Sequence, residues 1–261
     1  MFRTKIVKSG SVVEVYTFNL PDHKRFHDKA SKYWDNFGST ADLTADESLG
    51  LSYTHSRKTA KRIIYSNAWR WFSPTKRVYQ PFFLTLTFAE NITDLKEANR
   101  LFSKFIQRLN YLLTGKKKSY LAYLSVPEFQ KRGAIHYHVI IFNLPYMPHR
   151  VYHTLIQLWG KGRIQLVKVD CMDRLINYLS KYMVKSSDPR LNGKKRYFAS
   201  RVCLRPQISY DFMTTLRLPD SMKIYSAEWE TDYLGHMTYR MYILDSKAEH
   251  DLYFDTVCEK T

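Results

Sequence analysis

With 261 residues, 44% of them hydrophobic, the chain can bury a substantial core, and one domain with appended segments is the natural expectation. No apolar run approaches the ~20 residues that a membrane-spanning helix needs, and the first ten residues lack the apolar core of a signal peptide. The 41 basic side chains against 24 acidic ones give a net charge of +17, which points to a polyanionic partner.

The positive charge is concentrated in the first 200 residues. They hold 34 basic and 14 acidic side chains, whereas residues 201–261 hold 7 and 10. Tyrosines, phenylalanines and tryptophans are interleaved with this charge, and rings among cations suit single-stranded nucleic acid. A basic protein with an aromatic core would have the same composition, so composition only favours nucleic acid. The three cysteines have no paired spacing, which argues against disulfides and structural zinc and fits a reducing cytoplasm.

The predicted elements begin with a short strand over Val12–Phe18 and a helix from Ser56, whose first turns are basic. Residues 21–55 between them show no sustained period and are interpreted mainly as loop. The later segments alternate between strand and helix patterns: Phe82–Phe88 (strand), Asp94–Thr114 (helix), Ser119–Val126 and Ile135–Phe142 (strands), Arg150–Trp159 (helix), Ile164–Val169 (strand) and Asp170–Lys185 (helix).

This order of elements predicts an α+β fold, in which a central antiparallel sheet is flanked by helices. Phe82–Phe88 has apolar residues on both sides and is therefore predicted to be an interior strand. The expected organisation is a basic, partly helical N-terminal extension (residues 1–80), a core (residues 81–200) and a C-terminal extension that packs on the core (residues 201–261).

Two histidines on one predicted strand form the first candidate site. Side chains alternate along a strand, so His136 and His138 point the same way, with Cα atoms roughly 6.6 Å apart. A hairpin turn around Lys131 and Arg132 would place Glu128 opposite them. Two imidazoles and a carboxylate can hold a divalent cation with open coordination positions. Taken alone, such a pair is more often two ordinary half-buried or solvent-facing histidines.

The last predicted helix carries the second candidate site. Tyr178, Tyr182 and Lys185 share one face, and Lys181 lies one turn from Tyr178. Nearby lysines would favour the phenolate form, and a tyrosinate is a competent nucleophile for phosphoryl transfer. On this helix alone, tyrosines that pack against a sheet with their hydroxyls at the rim are the commoner arrangement.

The order FLTLTF, a carboxylate ahead of HYH, and then YLSKY resembles rolling-circle replication initiators of the HUH endonuclease superfamily, and most closely small Rep proteins of phages and plasmids. The resemblance extends over roughly Pro81–Lys185 and implies an RRM-like or ferredoxin-like palm. In conjugative relaxases of this superfamily the tyrosine precedes the histidines, whereas here it follows, which favours replication or transposition over conjugation.

The resemblance also implies a role for each residue. His136, His138 and Glu128 would be ligands of Mg²⁺ or Mn²⁺, Tyr178 the nucleophile, Lys181 its partner, and Tyr182 a second tyrosine. Lys185, Lys131 and Arg132 are the predicted phosphate contacts. The expected reaction nicks and rejoins single-stranded origin DNA through a 5′-phosphotyrosyl intermediate and leaves a 3′-hydroxyl that a polymerase can extend.

The chain has no G-x-x-x-x-G-K-[ST] motif, since Gly115–Ser119 fails the spacing, so unwinding is expected to come from a host helicase or another element-encoded protein. The expected location is the cytoplasm of a bacterial host. Three other functions stay open: a transposase with the same chemistry, a non-catalytic RRM-like nucleic-acid-binding protein, and a metallohydrolase that uses water as nucleophile.

Overall fold

The computed structural model describes residues 2–19, 45–145, 149–185, 188–211, 218–231 and 235–244. The chain forms two compact units. One unit comprises Thr44–Leu204, and the other combines Met1–Leu43 with Arg205–Thr261. The predicted boundary at residue 80 therefore falls inside the first of these units, and the N-terminal and C-terminal segments contribute to one unit rather than forming two separate extensions.

The unit Thr44–Leu204 is built on a five-stranded antiparallel sheet. Its strands are β3 (Phe82–Thr87), β4 (Tyr123–Phe129), β5 (Ile135–Ile141), β6 (Ile164–Lys168) and the short β7 (Phe198–Ala199), in the order β6-β3-β5-β4-β7. β3 and β5 have a strand on each side, as the apolar composition of β3 predicts. The predicted fold class, α+β with an antiparallel sheet and flanking helices, is confirmed.

Four α-helices are present in the described part of the chain: α1 (Ala45–Asn67), α2 (Leu95–Thr114), α3 (His149–Trp159) and α4 (Met172–Lys185). The sequence signals of α2 act as predicted. Asp94 is its N-cap and accepts a hydrogen bond from the Lys96 amide, and Gly115 ends it with a left-handed φ of 66°.

The two faces of this sheet carry different apolar clusters because strand side chains alternate. On one face, Leu84, Leu86 and Tyr137 pack with the buried residues of α2 and with Trp159 of α3. We call this the α2 face. On the other face, here the α4 face, Phe83 and Ile140 and their neighbours pack with α1 and α4. The candidate functional residues lie on the α4 face.

The second unit contains another five-stranded antiparallel sheet, which the sequence did not predict. Its strands are β1 (Phe2–Ser9), β2 (Val12–Asn19), β8 (Gln207–Asp211), β9 (Lys223–Thr231) and β10 (Gly235–Ile243), in the order β8-β1-β2-β10-β9. β2 confirms the predicted strand at Val12. The other strands were missed because their partners come from opposite ends of the chain, as in the pairing of β2 with β10.

Two predicted boundaries are wrong. α1 begins at Ala45 rather than Ser56, so its basic residues lie in mid-helix and do not oppose the helix dipole at its N-terminus. β4 begins at Tyr123 rather than Ser119. The amides of Tyr120 and Leu121 donate instead to the Asn110 side chain, at 2.9 Å each, which replaces ladder hydrogen bonds with helix-to-strand ones. No helix among the described residues is both long and apolar enough to cross a membrane.

Gly162 marks the closest backbone approach beside β3 and supplies a test of the fold. Its φ is +145°, and a Cβ there would lie 2.3 Å from the Thr87 carbonyl oxygen. We expect Gly162→Ala to lower the free energy of unfolding by about 3 kcal/mol or more, because backbone atoms must separate. Gly193→Ala is the control, since its φ of +69° is also left-handed but its Cβ would meet open space; a loss of about 1 kcal/mol is expected. Equal losses in urea unfolding would contradict the close approach.

Candidate functional site

The strand register brings polar side chains into one patch on the α4 face. Glu128 of β4 lies directly opposite His136 of β5. On the other side of β5, Thr85 and Thr87 of β3 lie opposite His138 and His136. Because the two histidines are two residues apart on one strand, both rows point to the same side of the sheet. The hairpin prediction for Glu128 and the histidines is therefore confirmed as a matter of geometry.

His138 connects the carboxylate to the tyrosine helix. Its Nε2 lies 2.5 Å from Oε2 of Glu128, and its Nδ1 lies 3.2 Å from the hydroxyl of Tyr178. Only 5% of His138 and 8% of Glu128 is exposed to solvent. An ionised carboxylate can only accept, so Nε2–H donates to Glu128 and Nδ1 is left to accept the Tyr178 proton. The three side chains form a continuous path for a proton.

Tyr178 is held from two further directions. Its ring stacks on Phe83 with centroids 3.6 Å apart, and its hydroxyl lies 3.1 Å from Oγ1 of Thr85. Burial raises the pKa of Tyr178 above its ordinary value, the hydrogen bond from Thr85 lowers it, and the charges of Tyr182 and Glu128 raise it. The expectation that lysines would favour the phenolate is wrong here, because burial outweighs them in setting this pKa.

Tyr182 and Lys181 lie beside the nucleophile candidate rather than in contact with its proton path. The Tyr182 ring stacks on the His138 imidazole, with centroids 3.4 Å apart and planes 19° apart. Lys181 is exposed, and its Nζ lies 5.6 Å from the Tyr182 ring centroid, a cation–π contact. Lys181 is therefore placed against Tyr182. The side chain of Lys185 lies outside the described residues.

The predicted metal ligands share a face but do not yet form a closed set. The ring centroids of His136 and His138 are 6.4 Å apart, and the Glu128 carboxylate is bonded to His138. Within the described ranges, no group of three or more His, Cys, Asp or Glu side chains is arranged to hold a metal ion. The donors suit a divalent cation in kind, and closing the set requires new side-chain torsion angles at Glu128 and His136.

The predicted phosphate contacts lie at the rim of this patch. Lys131 and Arg132 are exposed in the turn between β4 and β5, which Gly133 closes with a φ of 86°. They line an open pocket of about 550 Å³ together with His136 and Thr87. A phosphate in this pocket would meet two cations beside the histidine strand.

The sequence did not identify Thr85 and Phe83 as site residues, although both lie in the FLTLTF motif. The available signal was alternation: Phe83, Thr85 and Thr87 share a face, and antiparallel pairing of this strand with the histidine strand brings that face to His138. The pairing itself is a long-range contact that no local pattern specifies, which is why the threonines were treated only as strand residues.

Thr85→Val tests whether this hydroxyl positions Tyr178. Val keeps the shape but removes the donor, so we expect adduct formation with single-stranded DNA to slow by about fivefold, the effect of one hydrogen bond of ~1 kcal/mol. Thr85→Ser keeps the hydroxyl and should retain most of the rate. Similar slowing by both variants, at unchanged thermal stability, would show that the Thr85 hydroxyl is not what matters.

Comparison with known proteins adds an independent observation. Residues 81–187 match a family model described as a replication-associated protein of the ORF2 type. An Escherichia coli protein described as "Phasyl DNA replicon protein arp" is 29% identical over 161 residues. The match covers 52% of this chain and 54% of that protein, so the chain spans about half the length of the curated relative. No solved structure matches the chain. The predicted resemblance to phage and plasmid replication initiators is thereby confirmed.

Proposed function

We propose that this chain, a relative of phage and plasmid replication initiators, starts rolling-circle replication by nicking single-stranded DNA at an origin. Tyr178 is the proposed nucleophile. The observation that carries the proposal is the 3.2 Å approach of its hydroxyl to Nδ1 of His138, on the face that also bears His136 and Glu128. A buried phenol needs a base to become nucleophilic, and His138 is in hydrogen-bonding reach.

In the proposed reaction the Tyr178 oxygen attacks the phosphorus of the scissile phosphodiester. A phosphorus–oxygen bond to tyrosine forms while the bond to the 3′-oxygen breaks, which leaves a 5′-phosphotyrosyl enzyme and a free 3′-hydroxyl. The phenolic proton passes to Nδ1 of His138, whose Nε2–H is held by Glu128, and the departing oxygen takes a proton from solvent. Attack by a 3′-hydroxyl on the phosphotyrosine reverses the step and rejoins the strand.

A divalent cation, Mg²⁺ or Mn²⁺, is proposed to be held by His136, His138 and Glu128. Two imidazoles and a carboxylate on one sheet face support this assignment. When bound, such an ion polarises the phosphate and stabilises negative charge on the leaving oxygen. The protein's part is to place these donors beside Tyr178, which it does through the pairing of β4 with β5 and the packing of α4 on the sheet.

The neighbouring side chains have supporting roles in this proposal. Tyr182 lies against His138 and would serve as a second nucleophile in the rejoining step. Lys181, together with Lys131 and Arg132 at the pocket rim and Lys185, would neutralise phosphate charge. Extension of the 3′-hydroxyl and unwinding of the duplex are assigned to a host polymerase and helicase.

Two other functions share some of these features. A transposase would use the same chemistry on transposon ends, but the family match is to replication-associated proteins, which favours an origin as the substrate. A non-catalytic RRM-like protein would present aromatic platforms at the centre of the sheet. Here that position carries His138, Glu128 and Thr85 in one hydrogen-bonded group, which favours catalysis.

The proposal is tested by incubating the protein with origin-bearing single-stranded DNA and Mn²⁺ and separating the products on a denaturing gel. The expected result is a protein–DNA adduct and a shortened strand with a free 3′-hydroxyl, both lost when a chelator is present. Binding that is insensitive to chelator, with no strand scission, would contradict the proposal and support the RRM-like alternative.

A further inference from the structure

A second basic surface lies at the C-terminal end of α2, away from the residues discussed so far. It surrounds a pocket of about 920 Å³ whose lining includes Arg108, Tyr111, Leu112, Lys116, Lys117 and Lys118. We call these six residues the α2-end patch. Helix α2 covers the α2 face of the sheet, opposite the face that bears Tyr178 and His138. The patch is therefore separate from the proposed nicking site.

The backbone that presents the lysines is fixed at both ends. Gly115 donates from its amide to the Tyr111 carbonyl at 2.8 Å, and Lys116 donates to the Thr114 hydroxyl at 3.1 Å. After the lysines, the Tyr120 and Leu121 amides bond to Asn110, as described above. The three lysines thus lie on a short turn anchored to α2 before and after it. Such a turn loses little conformational freedom when it binds a ligand.

The composition of the patch matches one class of ligand. Among the described residues that line its pocket are four cations and no carboxylate. Beside them, Tyr111 is 56% exposed and Leu112 is 45% exposed, so a ring and an apolar surface face solvent next to the positive charge. Cations after a helix C-terminus also complement the helix dipole, but that effect fades within a turn and accounts neither for Arg108 nor for an exposed ring.

We propose that the α2-end patch is a second binding surface for single-stranded DNA. The phosphates would contact the lysines and Arg108, and a base would stack on Tyr111. The inference rests on the proposed function only in taking DNA as the polyanion. A strand held on both faces of the unit would stay bound while its nicked end is released from or rejoined at Tyr178.

Binding is measured by fluorescence anisotropy in the Tyr178→Phe background without divalent metal, using a single strand of about 30 nucleotides, which exceeds the ~4–16 nucleotides typical of one binding fold. Lys117→Gln with Lys118→Gln should reduce the slope of log affinity against log salt by about 1.4, at ~0.7 per phosphate contact. The matched control is Lys194→Gln with Lys195→Gln, an exposed lysine pair of equal charge outside the patch. It should change the slope far less.

The aromatic part of the proposal has its own variants. Tyr111→Ala should weaken binding by about tenfold, whereas Tyr111→Phe, which keeps the ring, should not. Phe72→Ala removes another exposed ring, 61% exposed, and should leave the affinity unchanged.

Equal changes in slope for the two lysine pairs, or no effect of Tyr111→Ala, would overturn the proposal and reduce the patch to general surface charge. These readouts need no nicking. If patch variants weaken binding while the unaltered protein forms no adduct, the proposed function fails and the second surface stands. If adduct forms and the patch variants bind normally, the reverse holds.

Discussion

Tyr178→Phe is expected to abolish the protein–DNA adduct while leaving the fold and the non-covalent binding of single-stranded DNA intact. The change removes only the hydroxyl, and the ring still stacks on Phe83. Without the attacking oxygen no phosphotyrosine can form at this position, so the rate should fall by about 10³-fold or more. Adduct yield on a denaturing gel and anisotropy with the same strand measure the two properties separately.

Tyr182→Phe is the matched control for this prediction. Both tyrosines lie on α4, and their rings are 4.5 Å apart, so the two variants remove the same atom from neighbouring places. Tyr182→Phe keeps the stack on His138 and should still form the first adduct, with its loss confined to rejoining. If Tyr182→Phe loses the first adduct and Tyr178→Phe keeps it, the two roles are reversed.

Glu128→Gln is expected to produce the second large effect, a loss of about 10²-fold or more in the rate of adduct formation. The amide oxygen can still accept from His138, so the fold is retained, but a neutral group neither stabilises the imidazolium that forms when Tyr178 loses its proton nor serves as a carboxylate ligand. Single-turnover rates with saturating DNA measure the effect, and titration with Mn²⁺ measures metal affinity independently.

A control and a second variant make this result specific. Glu97→Gln removes an exposed carboxylate that is paired with Arg100 on α2, and it should leave the rate unchanged. In a His138→Ala background, Glu128→Gln should add little further loss, because the two side chains act as one unit. Additive losses would contradict the proposed path through His138.

The helices and strands of the sheet that carries the site were predictable because their signals are local. Asp94 and Gly115 delimit α2 by cap chemistry, and the alternation of the HYH strand fixes which side chains share a face. The placement of both tyrosines on the histidine side also follows from a pattern: α4 has an apolar stripe and must bury it against the sheet.

The features that the sequence did not reveal depend on long-range pairing or on burial. The second sheet joins β2 to β10, more than 200 residues away, and no local period announces such a pairing. The raised pKa of Tyr178 is a property of its packed environment, including Phe83, whereas the sequence showed only the lysines beside it. The hydroxyl of Thr85 gains its place between Tyr178 and His138 from strand register alone.

The dense packing around Tyr178 has a consequence for how DNA reaches it. The ring lies between Phe83 and Tyr182, and the Tyr182 ring in turn covers one face of His138. A phosphodiester that approaches the Tyr178 hydroxyl must therefore enter from the side that Lys131 and Arg132 border, along the pocket shared with His136. This geometry assigns the turn between β4 and β5 to the path of the strand.

The central claim is that one particular phenol, held against His138, attacks the DNA. The most direct measurement is to trap the adduct with a short single strand, digest it with protease and nuclease, and locate the nucleotide-bearing tyrosine by mass spectrometry. The expected result is modification of the peptide that contains Tyr178, at Tyr178 itself. Modification confined to a tyrosine outside α4, or adduct formation that persists when both Tyr178 and Tyr182 are changed to Phe, would contradict it.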